Sequence, residues 1–428
     1  MWCKTPATRI SMSRRKQRSQ DDNSSNDDND LGTRRLYWIR MVVVVGFWSA
    51  LVIAPKLWLN DEFYGPVSIF GGWPKLIFPL DWLFLLAIGG LLVPVVLSRE
   101  PAKWIGIWSV VFLARALWDR MIWQPYYYQY FFMLVAIGWS GFGWIQSGRR
   151  RQRKVANRQE DPRLALDCCR LILIGIYFWS GISKFNHRFL TSGGQQMLSS
   201  LLPTWMFEWV GPHSWVLAAL EVVVAIGLLL PRFRSVAAAM AILMHAGILY
   251  MLGPTGMSYN EVVWPWNVAM IVLLGLLFWR WPVPTAGQIF GVGRGVRHKM
   301  IVVCFLVGPG LSYLGFWPYY VSFKLYSGLS RDAQVFVSDE MKQRLPVDIQ
   351  ESFQPVTQGM FEWRLRLNHW SEDRLGAFAP PERRIHLHVA RRFCKYAVGP
   401  DDFGLELQGS PNFWNGRART EQFRCDDL

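Results

Sequence analysis

The residues of this chain best placed to do chemistry lie in apolar surroundings. The stretch from Gly175 to Leu190, GIYFWSGISKFNHRFL, closes an apolar run on a lysine, Lys184, where the run is expected to leave a membrane. Tyr177, Gly181 and Lys184 are spaced i, i+4 and i+7, so a helix sets them on one face. A cation costs about 2.5–3.5 kcal/mol at a bilayer centre and less near the interface, so Lys184 needs a partner, a wet cavity or a route to the headgroups. Glu221 and His245 fall in the following apolar runs at similar expected depth. A Lys–Glu pair would lower the cost of burying either group, and a desolvated lysine can serve as a base. Lys184, Glu221 and His245 are therefore the catalytic candidates. Tyr177 and Gly181, with Trp266 and Asn267 of the Trp-Pro-Trp-Asn helix start, are the candidates for lining a ligand. The competing reading is a structural ion pair beside a hydrogen-bonded histidine, with Asn267 capping a neighbouring helix.

The remaining intramembrane polar residues invite a plainer account. Arg115 and Asp119 at i, i+4, and Asp167 and Arg170 at i, i+3, are spaced to satisfy one another. Asp81 adds one more acid in an apolar run. Other patterns lead nowhere. GVGRG at Gly291 to Gly295 lacks a strand–turn–helix setting for nucleotide phosphates. His386 and His388 diverge on a helix, and no Cys/His spacing suits zinc, so no metal site is expected.

The elements that position these residues follow from composition. The chain is 51% hydrophobic, 15% aromatic and only 18% charged, with 24 Trp, and several windows of about 20 residues are nearly charge-free. This predicts an all-α polytopic membrane helix bundle of about nine transmembrane helices. The expected spans are Leu36–Leu59, Phe78–Ser98, Trp104–Trp118, Tyr127–Gln146, Leu164–Lys184, Ser214–Leu230, Ser235–Leu252, Val263–Trp281 and Met300–Tyr319. SGGQQMLSSLLPTWMFEWV, after the fifth, has the character of a surface-lying segment. GPG at Gly308–Gly310 should kink the last span. Residues 1–35 read as a disordered charged cytoplasmic tail, with no signal peptide. The net charge of +15 sits mostly in short segments between apolar runs, which topology explains better than nucleic-acid binding. Membrane lipids are the expected surroundings. The Lys/Arg bias puts the N-terminus in the cytoplasm and, with an odd span count, the C-terminus outside.

From residue 320 to residue 428 the chain turns soluble-like, and a small α+β extracytoplasmic domain is expected. SFKLYSG, AQVFVS and FEWRLRLN read as strands, and APPERRIHLHVARRFCKYA as a helix with Ile385, Val389, Phe393 and Tyr396 on one face. In an oxidising compartment Cys394 and Cys425 could pair or stay free.

At Tyr177–Lys184 the pattern Y-F-x-(S/A)-G-x-x-K resembles the HTTM domain, the membrane part of vitamin K-dependent gamma-carboxylase. That resemblance implies a base role for Lys184 towards a reduced quinone. ALEVVVAIGLLLPRFRSVAAAMAILMHAGIL, with Glu221 and His245, is similar to the DoxX and methylamine-utilisation membrane proteins, which implies quinone-linked or thiol-redox work. The likeness covers about residues 164–281 of a transmembrane domain at 36–319. The chain after Tyr319 is too short to match the carboxylase's lumenal domain, so glutamate carboxylation is not carried over. The expectation is a bacterial inner-membrane protein holding a quinone or lipid-like amphiphile near Lys184 for redox or proton-transfer chemistry. Its rival is a non-enzymatic scaffold whose outer domain recruits a protein partner, with a transporter third.

Overall fold

A computed structural model describes residues 31–69, 78–141, 162–279, 284–291, 295–357 and 359–428. The chain opens on α1 (Leu31–Ile53). It continues through α2 (Leu80–Leu97), α3 (Pro101–Trp118), α4 (Pro125–Gly141) and α5 (Pro162–Lys184). Two short helices, α6 (Gly194–Leu201) and α7 (Thr204–Val210), lead to α8 (Trp215–Leu229), α9 (Arg234–Leu252) and α10 (Val263–Phe278). Then come α11 (Ala286–Ile289), α12 (Val296–Val302), a π-helical turn at Val303–Val307, and α13 (Gly308–Leu311). Most of residues 1–35, and the basic run near Arg150, lie outside the described residues.

Helix α5 is the hub. Of its most apolar window 78% lies inside the protein, against 22% for α2, so α2 faces outward and α5 is wrapped by its neighbours. Glycines permit that wrapping. A Cβ on Gly175 would sit 2.6 Å from the Phe305 carbonyl oxygen in the π-helical turn, and one on Gly181 would sit 2.9 Å from the Val222 amide nitrogen of α8. Arginines close helix ends: Arg170 Nε donates to Leu277 O at the end of α10 (3.0 Å), and Arg234 Nε to Leu228 O at the end of α8 (2.6 Å).

The expectation of about nine spans does not hold. Among the described residues four helices are long and apolar enough to cross a membrane, α1, α2, α5 and α9, and up to five if the pair Thr204–His213 and Trp215–Leu229, bent by 66°, counts as one span. The reasons are physical. At about 1.5 Å per residue, the 16 residues of α10 and the 17 of α4 fall short of a hydrocarbon core of about 30 Å. Helix α3 places Lys103 and Arg115 within 18 residues. The last run is broken where its α-helix gives way to the π-helical turn just before Gly308-Pro309-Gly310, the region marked for a kink. Apolar runs measured hydrophobicity well, but part of it serves packing around α5 rather than lipid contact. The chain is an integral membrane protein.

The C-terminal region is also more than the small domain expected. It holds β1 (Asp332–Val337), α14 (Asp339–Arg344), α15 (Val347–Gln350), β2 (Gln354–Pro355), β3 (Trp363–Arg366), α16 (Leu367–Leu375), α17 (Arg383–Phe393), β4 (Phe403–Gln408) and β5 (Thr420–Phe423). The strands form a five-stranded antiparallel sheet in the order β2-β3-β1-β4-β5. Alternation sends Ala333, Val335 and Val337 inward, with Val335 opposite Leu365 on one side and Leu405 on the other. Ile385, Val389 and Phe393 of α17 share this core, as their spacing requires. AQVFVS is β1 and FEWRLRLN contains β3. SFKLYSG is instead a run of turns after the 3-10 helix Tyr320–Ser322, with Phe323 and Tyr326 at positive φ. Cys394 and Cys425 form a disulfide that ties the end of α17 to the C-terminus across 31 residues.

This region covers one end of the bundle. Tyr64 Oη donates to Leu367 O (2.6 Å), His187 N to Phe413 O (2.9 Å) and Asn260 N to Glu372 Oε1 (2.5 Å). The C-terminal ends of α1, α5 and α9 therefore lie together beneath it.

Candidate functional site

Two polar clusters meet on α5. In the first, Lys184 Nζ, buried, donates to both carboxylate oxygens of Glu221 on α8, at 3.0 and 3.2 Å. One turn back, Ser180 Oγ accepts from the same ammonium at 2.7 Å. Gly181 lies on the α5 face between them, and its lack of a side chain lets the α8 backbone come close enough for the ion pair to form.

The second cluster links three helices. Tyr177 Oη is 2.6 Å from His245 Nε2 on α9, and His245 Nδ1 is 2.7 Å from Asn267 Oδ1 on α10. Asn267 Nδ2 donates to Val263 O (2.8 Å), one turn earlier, which fixes the amide with Oδ1 towards the imidazole. An acceptor at Nδ1 requires the proton there. In a neutral ring Nε2 is then the acceptor, so the Tyr177 hydroxyl donates to it. The chain has one direction: Tyr177 to His245 to Asn267. Tyr177 and Lys184 stand two turns apart on one face of α5, so the clusters adjoin.

Tyr177, Gly181, Lys184, Glu221, His245 and Asn267 thus converge around α5. Trp266 does not join them. Its indole donates to Gln129 Oε1 on α4 (2.7 Å), on the other side of α10. Arg115 and Asp119 pair at 3.2 Å, and Arg170 and Asp167 at 2.7 Å, each within its own helix or at its end. Asp81 Oδ2 accepts from Asn60 N (3.2 Å) at the start of α2, where the helix dipole favours an acid. His386 meets Asn368 Oδ1 at 3.2 Å in the C-terminal region, away from both clusters.

Sequence reasoning passed over Ser180, although it stands at i−4 from Lys184, within hydrogen-bond reach on the same face. It also passed over Asn186, whose Nδ2 bridges Ser183 O and Ser327 O at 2.7 Å each and so pins the end of α5 to the chain entering the C-terminal region. Above the end of α9, burial pushes the Glu372 carboxyl up to about 6, beside the Asn260 amide that donates to it.

No curated protein and no solved structure is significantly similar to the chain. A family match covers less than a quarter of the chain and falls on the site: residues 162–260, which contain Tyr177, Gly181, Lys184, Glu221 and His245, match the family model of the methylamine utilisation protein MauE. For that segment the match bears out the DoxX and methylamine-utilisation side of the resemblance and is consistent with the broader DoxX/HTTM grouping without assigning HTTM specifically; the segment around the Lys184–Glu221 pair is MauE-like.

Proposed function

We propose that the α5–α8–α9–α10 site holds a quinone or similar lipid-like amphiphile and moves its proton during redox chemistry. The observation that carries this reading is the one-directional chain from Tyr177 through His245 to Asn267, set beside a buried ion pair in the MauE-like segment. A hydroxyl presented to Tyr177 Oη could hand over its proton as Tyr177 passes its own to His245 Nε2, and Asn267 Oδ1 would steady the imidazolium through Nδ1–H. The Lys184–Glu221 pair brings no net charge, and its mutual attraction with the Ser180 hydrogen bond offsets part of the cost of burying both ions.

This reading keeps three parts: a charged tail (1–35), a transmembrane part (36–319) and the C-terminal region (320–428) outside a bacterial inner membrane. The Cys394–Cys425 disulfide supports an oxidising side for the last of these. The second reading is the scaffold with an extracytoplasmic protein partner. It is favoured by the way Ser180 and Glu221 already engage the Lys184 ammonium.

Purification in mild detergent of the wild type, Lys184→Met and Tyr177→Phe, followed by mass spectrometry of co-extracted small molecules, separates the two. A quinone or a specific lipid kept by the wild type and lost from the variants supports the first. Equal bulk lipid in all three makes the scaffold reading the better one.

A further inference from the structure

A cavity of about 1060 Å³ lies where the C-terminal region meets the end of the bundle. Ile182 is the α5 residue on its wall, so it adjoins the Lys184 pair without containing it. Its charge is predominantly positive, with Glu382 the one acid facing five cations among the described residues of the wall. Of the cations around it, Arg120 pairs with Glu382 (2.6 Å), Arg383 pairs with Glu421 (2.9 Å), and Arg384 donates to Ile69 O (3.0 Å). Lys324 and Arg331 line the same cavity with no carboxylate partner among the described residues.

Lys324 is the informative one. It is 6% exposed, and its ammonium stacks 3.6 Å from the centre of the Tyr313 ring. A buried ammonium held only by a ring face keeps donors for a further acceptor. Burial has pushed it down to about 8, as expected for a cation short of counter-charge. Tyr319, by contrast, has both its neighbours: Lys324 O at 2.9 Å and Ser327 Oγ at 3.0 Å.

The walls and rim are aromatic. Trp317 and Phe413 line the cavity with Tyr313. Phe316 and Trp414, also on its wall, are 77% and 81% exposed. Large apolar side chains at that level suit the membrane–water interface, where aromatic residues collect. The volume exceeds what a small inorganic anion needs and lies at the upper end of organic-ligand pockets, about 300–1,000 Å³.

We infer that this cavity is a binding site for an anionic amphiphile, with Lys324 and Arg331 receiving a phosphate or carboxylate headgroup and the Trp317–Phe413 wall and Phe316–Trp414 rim receiving its apolar chain. The site goes beyond the proton-transfer reading and does not depend on it. An occupant would also hold the C-terminal region against the bundle, because Lys324 and Phe413 belong to the C-terminal region and Ile182 to α5.

The test uses the full chain in mixed micelles doped with phosphatidylglycerol or with phosphatidylcholine of the same acyl chains, read by native mass spectrometry. Wild type should retain phosphatidylglycerol at least tenfold over phosphatidylcholine. Lys324→Gln and Arg331→Gln should each reduce that preference by about tenfold, the scale of one charge-assisted contact. Trp414→Ala, at the exposed rim, should weaken retention of both lipids without changing their ratio. Inorganic phosphate as competitor distinguishes sources: displacement of the lipid assigns recognition to the headgroup and admits soluble anions, and failure to displace assigns a membrane lipid. Equal retention of the two lipids by the wild type overturns the inference. So does wild-type preference in an Arg331→Gln protein that melts normally, if Lys324→Gln shows the same or fails to fold.

Discussion

Tyr177 Oη lies 2.6 Å from His245 Nε2, and this contact joins the central helix to α9 in a polarity set by Asn267. A hydrogen bond between two buried groups contributes modestly when made and is expensive to half-remove. Tyr177→Phe leaves Nε2 as a buried acceptor without its donor. The expected loss is about 1–3 kcal/mol of stability, seen as a lower melting temperature in detergent. Nitrogen-15 spectra of the wild type should show His245 protonated at Nδ1. The opposite tautomer would mean that Asn267 does not set the direction of the chain, and the proton-relay reading would lose its basis.

The Lys184–Glu221 pair predicts a non-additive result. Lys184→Met alone strands a carboxylate in the bundle and should destabilise by about 3–5 kcal/mol. Glu221→Gln alone strands the ammonium with only Ser180 for company and should cost a similar amount. The double variant removes both charges and should recover most of the loss, because no uncompensated charge is then left in the bundle. Thermal melts of the four proteins check this. Additive losses would show that the two groups do not interact across α5 and α8.

Gly181 is needed for that approach. A Cβ there would meet Val222 Cγ2 at 2.7 Å, Val222 N at 2.9 Å and Ala218 O at 3.0 Å. The methyl could swing aside, but the two backbone atoms cannot. Gly181→Ala should therefore push α8 from α5 at a cost of about 1–3 kcal/mol, despite alanine's better helix propensity. A disulfide-scanning pair across α5 and α8, or the melting temperature, would register the separation. A stabilised Gly181→Ala would contradict the close packing of these helices.

What the sequence made legible was chiefly what has a local period. The Tyr177–Gly181–Lys184 face, the Arg115–Asp119 and Asp167–Arg170 pairs, and the apolar stripe of Ile385, Val389 and Phe393 all follow from helical spacing, and the structure holds each of them. The number of spans did not follow, because hydropathy cannot tell a helix buried in protein from one buried in lipid, and α4, buried along most of its length, is of the first kind, while α10 is simply short. Nor did Trp266, whose partner Gln129 is 137 residues away. The edge strand β5 was equally hidden, since its burial pattern is too weak to show an inward face. Lys324 was hidden for a different reason. It read as one residue of a short strand, and the turn through Phe323 and Tyr326 at positive φ folds it inward.

His386 is 1% exposed on α17, with Nε2 3.2 Å from Asn368 Oδ1. Burial, with the Arg331 guanidinium adding to it, pushes this imidazole down from 6.5 to about 3. Because the folded value lies below the unfolded one, the unfolded chain binds the extra proton between those limits. The contribution of His386 is thus fully present above 6.5 and declines as the pH falls towards about 3. Over that window the linkage is on the order of a few kcal/mol. Hydrogen exchange of the β1 and β4 amides, corrected for its intrinsic pH dependence, should show the sheet loosening between about pH 6.5 and pH 4.5. His386→Gln keeps a hydrogen-bonding group near Asn368 but cannot titrate, so its protection should fall less steeply over the same range. Equal slopes in both proteins would place the acid sensitivity in other groups; Asp402, held down to about 2 chiefly by the Gly399 and Val398 amides, would act only below about pH 3.8 and is not among them.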